Sequence, residues 1–427
     1  MKKILSLVLI ALLAITSVFA TGTTETTATA PAAGAAEGGK IYDGVEITMW
    51  SMWNAAEPQG QAIIDAAAQF EEETGCHVNI EFRGRDIKTI INTSLQGGED
   101  IDIFEEAYDR IYLQYAPYCY DMTEMAEAAG YADFSYPLFN KMTTDATGGK
   151  LVSVAEQPNV GGIFYDKAKF EAAGITETPE TWDEFLAVCQ QLVDAGFQPL
   201  ALDSTYADFT FGYHLNRYVD EDSTRALSLN GGWSQNPGVI AAAEDIIDFV
   251  NRGYLAEGAP DEYPAGQNKI GFENVAMVVC ADYVTSEVNN NTGAGIEWGV
   301  FNYPTVPVED GGNGATGSYA GANSLAITSY TENPQAAFDF VMMLVSGDVD
   351  QKRADSVPQI PADPRNNCIS LDGAVETLMS ADSVLSWTMG LNANTDLTAM
   401  IKEVVIQLYE GRFATGEAFA AALDALY

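Results

Sequence analysis

The sequence predicts an α/β protein made of two lobes, and three observations lead to that prediction. Near the start, strand and helix patterns alternate in the order β-α-β-α-β, which is typical of a parallel sheet with helices on both faces. Further along, amphipathic helices recur up to the last residues. Finally, a chain of 427 residues is longer than one hydrophobic core usually serves, so we expect two lobes.

The first five elements follow from the side-chain pattern. Residues 45–50, VEITMW, predict a strand. Residues 77–82, HVNIEF, alternate apolar and polar side chains as a strand does, and residues 101–104, IDIF, predict a third strand. Helices are predicted between them over 60–75 and 85–98, because apolar residues recur there at helical spacing and a glycine stands at the end of each.

A capping box marks the clearest later helix, which is predicted over 178–196. Thr181 and Glu184 have the spacing at which each side chain can bond the backbone N–H of the other. Other amphipathic helices are predicted over 236–254 and 333–347, both opened by Asn-Pro, and over 394–411 and 415–426.

The N-terminus has the pattern of an export signal over residues 1–20. Lys2 and Lys3 precede an apolar run over 4–15, which is short for a membrane span, and small residues precede a cleavage site after Ala20. Residues 21–40 are mostly Thr, Ala and Gly, which predicts a flexible linker outside the fold. We therefore expect a periplasmic or extracellular protein.

The charge of the chain excludes some classes of partner. It carries 61 acidic and 20 basic residues, a formal net charge of −41. Nucleic acids and anionic membrane surfaces need a cationic face, so neither is an expected partner. The acidic charge selects no ligand, although a neutral molecule or a cation is easier to attract than an anion.

Motifs for metal binding and catalysis are missing from the sequence, and we expect neither a cofactor nor a metal. The five cysteines form no CxxC, which leaves buried thiols or one disulfide as alternatives. GxSxG, HExxH and Walker motifs are also missing. Glu105, Glu106 and Asp109 have side chains that serve glycoside hydrolysis, but neighbouring carboxylates are expected by chance in so acidic a chain. We predict that the protein is not an enzyme.

A series of segments follows one another in an order shared by one protein family. After the export signal and linker come ITMWSMWN, FEEETGCHVNIEF and SLQGGEDIDIFEEAYDR. The series continues with GGKLVSVAEQPNVGGIFYDKAKFEAAGITETPETWDEF, GFENVAMVVCADYV, GSYAGANSLAITSYTENPQAAFDFVMML and QIPADP. In this order, over residues 45–427, the chain resembles the extracellular solute-binding proteins of ABC importers, and most closely their carbohydrate-binding group.

This resemblance implies a two-lobed fold of the periplasmic-binding-protein type II class. Several segments would cross between the lobes as a hinge, and the ligand would lie in the cleft between them. The first lobe would comprise residues 41–155 plus 317–358, and the second 156–316 plus 359–427. Ligand contacts to both lobes would drive closure. A monomer would then deliver its sugar to the transmembrane permease subunits of the importer.

Two tryptophans at the end of the first strand are the first candidate site residues. The resemblance indicates that Trp50 is packed and that Trp53, on the loop that follows, faces the cleft, because ligands lie beyond the carboxyl ends of parallel strands. A position in the core of its lobe is the alternative for Trp53. An indole offers a flat apolar face to a sugar ring, while neighbours such as Asn54 bind hydroxyl groups. The family has Asp-Lys where this chain has Trp53-Asn54, which argues against maltodextrin as the ligand.

The remaining candidates are carried over from the resemblance one by one. Asp109 and Arg110 match an Asp-Arg pair beside the ligand, with an ion pair inside the lobe as the alternative. Tyr283 matches an aromatic sugar platform. Asn159 lies near the position of a family acid, and Glu156 stands three residues earlier. Weaker candidates, for which a core or surface role is the favoured alternative, are Asp208, Phe209, Trp233 and Trp387.

We therefore expect the protein to capture a mono- or oligosaccharide outside the cytoplasmic membrane and to deliver it to an ABC importer. A polyamine on the same fold is an alternative that the acidic charge favours, although Arg110 at a predicted contact argues against it. An exported carbohydrate-active enzyme that uses Glu105, Glu106 or Asp109 is the third alternative.

Overall fold

The computed structural model describes residues 39–357 and 359–427. The predicted export signal, and all but the last two residues of the predicted linker, lie outside the described residues. The strands are β1 Glu46–Ser51, β2 His77–Phe82, β3 Ile103–Ala107, β4 Val154–Asp166, β5 Gln198–Ala201, β6 Val275–Ala281, β7 Trp298–Phe301, β8 Ser318–Ile327 and β9 Val384–Leu385.

Helices connect and flank these strands. Those of the first half of the chain are α1 Pro58–Thr74, α2 Ile87–Gly97, α3 Tyr108–Arg110, α4 Thr123–Ala129, α5 Pro137–Thr147, α6 Lys167–Ala172, α7 Trp182–Asp194 and α8 Ala207–Asn216. Those of the second half are α9 Glu221–Asn230, α10 Pro237–Asn251, α11 Ala265–Phe272, α12 Tyr283–Thr292, α13 Pro334–Leu344, α14 Gly347–Ser356, α15 Ala374–Ser380, α16 Thr398–Tyr409 and α17 Gly416–Asp424.

The predicted β-α-β-α-β start of the chain is confirmed. The strands form one sheet in the order β2-β1-β3-β8-β4-β6-β5, with β7 paired to β4 and β9 paired to β8. Strand β1 runs parallel to β2 and β3 on its two sides, as helical crossovers require. Strand β8 is antiparallel to both β3 and β4, so it joins the first group of strands to the rest of the sheet.

Strands β4 and β8 connect the two lobes. The first part of β4, up to Val160, pairs with β8, and from Gly161 onward β4 pairs with β6 and β7 instead. We call the part with β1, β2 and β3 the first lobe, and the part with β5, β6 and β7 the second lobe. The predicted two-lobed fold is confirmed, with β4 and β8 as an antiparallel ribbon between the lobes.

Buried hydrophobic side chains form a first-lobe cluster and a larger cluster, which fills the second lobe and also takes in Tyr108 and Phe139. Phe70 and Phe340 belong to the first-lobe cluster, and Trp182 belongs to the largest cluster. After α14, side chains only two positions apart pack in different clusters. Ile360 packs in the largest cluster and Ala362 in the first-lobe cluster, so this segment is a third connection along the boundary between the lobes.

Local signals in the sequence set the helix boundaries. Both bonds of the capping box between Thr181 and Glu184 are formed at the start of α7. Gly75 and Gly98 end α1 and α2 in the left-handed region, at φ 84° and 66°, where glycine carries no Cβ penalty. These ends place the strands that follow, and therefore the loops beyond them.

The five cysteines are free thiols in the structure. Cys76, Cys119, Cys189 and Cys280 are buried, and Cys368 is half-buried, which agrees with packing as small hydrophobic residues. Within the described ranges, His, Cys, Asp and Glu side chains nowhere come together in threes that could hold a metal ion. In the same ranges, no helix has both the length and the apolar character needed to cross a bilayer.

Candidate functional site

The carboxyl ends of the parallel strands of both lobes meet at the β4–β8 ribbon. Strand β3 ends at Ala107, which pairs with Asn323 of β8, and β6 ends at Ala281, which pairs with Gly161 of β4. Ligands of α/β proteins bind beyond such strand ends. We call the space between these ends, with the ribbon as its floor, the strand-end cleft.

The floor of the strand-end cleft is polar. One face of the ribbon, which includes Val160 and Ala322, is buried in the second-lobe core. The opposite face is half-exposed and carries Gln157, Asn159, Tyr319, Gly321 and Asn323. A Cβ on Gly161 would lie 2.9 Å from the Tyr319 side chain, so a glycine is needed there to leave room for that ring.

Aromatic side chains line the second-lobe side of the cleft. Trp387 is half-buried and stacks on the fully buried Phe209, with ring centroids 4.1 Å apart, and its edge meets Tyr319 at 5.0 Å. Tyr283 is the second residue after the end of β6, is 37% exposed, and donates its hydroxyl to Tyr206 at 3.3 Å. We call these five residues the aromatic wall. It offers flat apolar faces to a ligand.

The first-lobe side is different, because its tryptophans are covered. Trp50 is packed, as expected, but Trp53 is also buried, only 8% exposed, and belongs to the first-lobe core. The guanidinium of Arg85 lies 4.2 Å over the Trp53 ring and pairs with Glu57 at 3.1 Å. Asn54 is exposed, and its amide donates to the same Glu57 at 3.1 Å. The expected open indole face at residue 53 is therefore occupied by an arginine in this arrangement.

Asp109 and Arg110 follow β3 at the cleft but do not form the ion pair that the sequence left open. Arg110 pairs with Glu106 at 3.2 Å instead. The exposed Asp109 accepts only the backbone N–H of Arg110 among the hydrogen bonds of the described residues, at 2.9 Å. Its carboxylate therefore keeps acceptor capacity for a ligand in the cleft.

Glu105 cannot play the catalytic role that the sequence left open for it. It is fully buried, and its carboxyl accepts the backbone N–H of Met52 at 2.9 Å. Burial and the neighbouring Glu156 raise the pKa of Glu105 well above its ordinary value. Arg353, also buried, donates to Glu156. The group is an internal polar cluster of the first lobe, without access to a substrate.

Carboxyl groups from both lobes lie near the ring of Tyr319 on the cleft floor. Burial raises the pKa of Asp282 to about 7. The pKa of Tyr319 is raised by burial, and then by the charges of Asp282 and Asp109. A carboxyl group from each lobe, Asp109 and Asp282, therefore influences the phenol of Tyr319. Sequence reasoning missed Asp282, whose one signal was its place directly before Tyr283, and it missed Tyr319.

The weaker candidates have partners within the second lobe. Asp208 is buried and pairs with Lys402 at 3.2 Å. Trp233 is fully buried, and its backbone N–H donates to Asp424 of α17 at 2.7 Å. Phe209 has no exposed surface and supports Trp387 from behind. Of the four weaker candidates, only Trp387 therefore exposes an aromatic face beside the cleft floor.

A cavity of about 690 Å³ lies elsewhere on the second lobe. Its lining includes Tyr165, Glu177, Asp372 and Glu376, and none of the aromatic wall. It is lined by neither the loop after β1 nor the loop after β3, so it cannot be closed by contacts to both lobes. The strand-end cleft, which both lobes border, is therefore the candidate site.

Known proteins resemble this chain in sequence and in structure. The sequence model of the family described as bacterial extracellular solute-binding protein matches residues 54–349. The multiple sugar-binding protein of Streptococcus mutans is 28% identical over 286 residues, which is 63% of this chain and 64% of that relative. The chain thus matches slightly less than two thirds of the length of this curated relative.

Solved structures share the fold over nearly the whole chain. The bacterial solute receptor AcbH, which has an exclusive substrate preference for β-D-galactopyranose, has a TM-score of 0.67 at 16% identity, covering 91% of this chain and 98% of the receptor. Apo RafE of Streptococcus pneumoniae has a TM-score of 0.63 at 18% identity, covering 89% and 96%. At these identities the likeness establishes the two-lobed fold.

Proposed function

The chain belongs to the bacterial extracellular solute-binding proteins, and we propose that it captures a carbohydrate outside the cytoplasmic membrane and delivers it to an ABC importer. The observation that carries this proposal is the aromatic wall beside a polar floor. Trp387 and Tyr283 present flat apolar faces, which suit the CH faces of a sugar ring. The similarity to a sugar-binding protein of Streptococcus mutans supports the same ligand class.

Binding would use both sides of the strand-end cleft. A sugar ring on the aromatic wall would turn its hydroxyl groups toward Asp109 of the first lobe and Asn159 of the floor. Asn159 Oδ1 is buried without a hydrogen-bond partner among the described residues, so it has an acceptor to offer. Because these contacts come from different lobes, they are complete only when the lobes close, and ligand binding thereby drives closure.

The proposal also includes the lobe boundaries, the cleavage site, the oligomeric state and binding without turnover. The lobes would comprise residues 41–155 plus 317–358 and 156–316 plus 359–427. Export would end with cleavage after Ala20. The protein would act as a monomer that hands its ligand to permease subunits. It would bind without turnover, since Glu105 is buried and the matched family consists of binding proteins.

A cationic ligand such as a polyamine is the second candidate. The charges of Asp282 and Asp109 raise the pKa of the Tyr319 phenol, and negative charge at the cleft would attract an ammonium group. The aromatic wall also suits a cation. The positive charge of Arg110 argues against a cationic ligand, but the ion pair with Glu106 partly offsets that charge.

A thermal-shift screen tests the proposal against the second candidate. The purified protein is melted with mono- and oligosaccharides, polyamines and amino acids. A ligand at about 100 times its Kd adds about 2.7 kcal/mol of stability. We expect a shift with a sugar that disappears in Tyr283→Ala. The control is Tyr330→Ala, because Tyr330 is 38% exposed, like Tyr283, but follows the first-lobe end of β8.

Two outcomes would contradict the proposed function. A shift with polyamines alone would transfer the site to the cationic ligand. Release of shorter sugars from an oligosaccharide by the purified protein would show turnover, and the protein would then be an enzyme.

A further inference from the structure

Three connections join the lobes, and their polar side chains meet at the floor of the cleft. Two are the strands β4 and β8, and the third is the segment around Gln359 and Ile360. A change in the angle between the lobes must twist all three connections together. Side chains that form hydrogen bonds between two connections therefore affect that angle directly.

A β-bulge at Glu156 sends two successive side chains of β4 in different directions. The register of β4 with β8 shifts between Ala155 and Gln157, so Glu156 is the extra residue. Glu156 is fully buried and takes Arg353 of α14 as its partner. Gln157 instead lies on the half-exposed face of the ribbon, the same face as Asn159. The bulge thus frees Gln157 for partners outside the first-lobe core.

The side chain of Gln157 forms hydrogen bonds to both of the other connections. Its Oε1 accepts the side-chain amide of Asn323 on β8 at 3.1 Å. Its Nε2 donates to Oε1 of Gln359 on the third connection at 2.8 Å. The neutral side-chain amide of Gln157 therefore uses both its donor and its acceptor in hydrogen bonds to the other two connections. We call Asn323, Gln157 and Gln359 the amide chain.

We propose that Gln157 is the positioning residue of the hinge, which fixes the twist of the three connections relative to one another and thereby sets the angle from which the lobes close. This inference rests on the proposed function, since it concerns the closure that ligand binding drives. The amide chain lies beside Asn159 and Tyr319 on one face, so the hinge and the ligand floor move as one surface.

The role requires an amide side chain at position 157. A carboxylate at position 157 would face the oxygen of Gln359 and lose one bond, and it would add charge next to the buried Glu156. A leucine has nearly the same size but can bond neither partner. Gln157→Leu therefore removes both links of the amide chain and leaves the packing volume almost unchanged.

The test measures the distance between the lobes without any ligand. Spin labels are placed at two exposed helix positions, Lys88→Cys on α2 and Asn290→Cys on α12. The background carries Cys368→Ser, because the other four cysteines are buried. Pulsed electron paramagnetic resonance then gives the distance distribution. We expect Gln157→Leu to shift or broaden the distribution relative to the parent protein.

The control is Gln191→Leu, which removes a side-chain amide hydrogen bond of similar length within the second lobe. Gln191 Nε2 donates to the carbonyl oxygen of Ala173 at 2.9 Å. This variant should leave the distance distribution unchanged. If Gln157→Leu behaves in the same way, the proposal is wrong. If Gln157→Leu fails to fold, Gln359→Leu removes the outer link alone and should shift the distribution in the same direction by less.

Ligand binding separates a hinge role from a direct contact. We expect Gln157→Leu to change the affinity for the sugar by about tenfold, together with the distance distribution. A weaker affinity with an unchanged distribution would mean that Gln157 touches the ligand, and it would overturn the hinge role. The distance measurement needs no sugar, so it decides this inference even if the screen finds no sugar ligand and the proposed function fails.

Discussion

The two sides of the strand-end cleft differ in what covers their aromatic rings. On the first-lobe side, Trp50 and Trp53 lie under the guanidinium groups of Arg83 and Arg85, at 3.9 and 4.2 Å. On the second-lobe side, aromatic rings cover one another, and Trp387 stacks on Phe209 while its remaining surface stays half-exposed. The same residue type is therefore closed in one lobe and open in the other.

This difference indicates how the lobes divide the recognition of a ligand. A ring whose face already holds a cation has no room for a sugar, so the first lobe offers mainly polar groups, such as Asp109 and Asn54. The second lobe offers flat apolar surface. In the proposed site neither set alone would hold a sugar well, and closure of the cleft would contribute much of the affinity.

The largest expected effect is on stability, in the first lobe. Trp53→Ala should lower the free energy of unfolding by about 3–5 kcal/mol, because it leaves a cavity in the core. Urea denaturation measures this loss. Trp387→Ala, at a half-buried position, should cost clearly less. If the two variants lose equal stability, the contrast between a closed and an open tryptophan is wrong.

The next effect is on affinity, in the second lobe. Trp387→Ala should weaken sugar binding by about thirtyfold, or about 2 kcal/mol, since it removes the stacking surface. Isothermal titration calorimetry with the sugar from the screen measures this change. Trp387→Phe keeps an aromatic face and should recover part of the affinity. Unchanged binding in the alanine variant would remove the aromatic wall from the site.

A further effect is expected in the pH dependence of stability. The pKa of Asp282 is about 7 in the folded protein, raised by burial from 3.8. The folded state therefore holds this proton more tightly, and the contribution of Asp282 to stability is lost as the pH rises from about 4 to about 7. Asp282→Asn should be more stable than the parent above about pH 7, with the advantage vanishing near pH 4. Thermal melts across this range measure it, and a constant difference would contradict the assignment.

The smallest effect should come from uncovering the first-lobe indole. Arg85→Met removes a cation over the Trp53 ring and an ion pair whose side chains are 46% and 33% exposed. We expect a loss of about 1 kcal/mol or less in unfolding free energy. Sugar affinity should not change. A large gain or loss in affinity would show that Trp53 is reached from the cleft, as the sequence had indicated.

The sequence predicted the fold well because its signals are local. Strand alternation placed β2 over the same residues that the structure shows, and the capping box placed the start of α7. The ordered series of family segments predicted two lobes with several connections, and the structure shows them. The resemblance also named Tyr283, and Trp387 as a weaker candidate, and contact of either residue with a ligand stays a prediction.

The sequence by itself determined the elements, the two lobes and the residues at the strand ends, because periodicity, caps and glycine stops act between neighbours in the chain. Only the tertiary structure decided which of those residues are open. Trp53 is covered by Arg85 from a different element, and Gln157 finds partners on β8 and on the third connection. Whether a side chain is free or occupied depends on groups that are distant in sequence, and no local pattern records them.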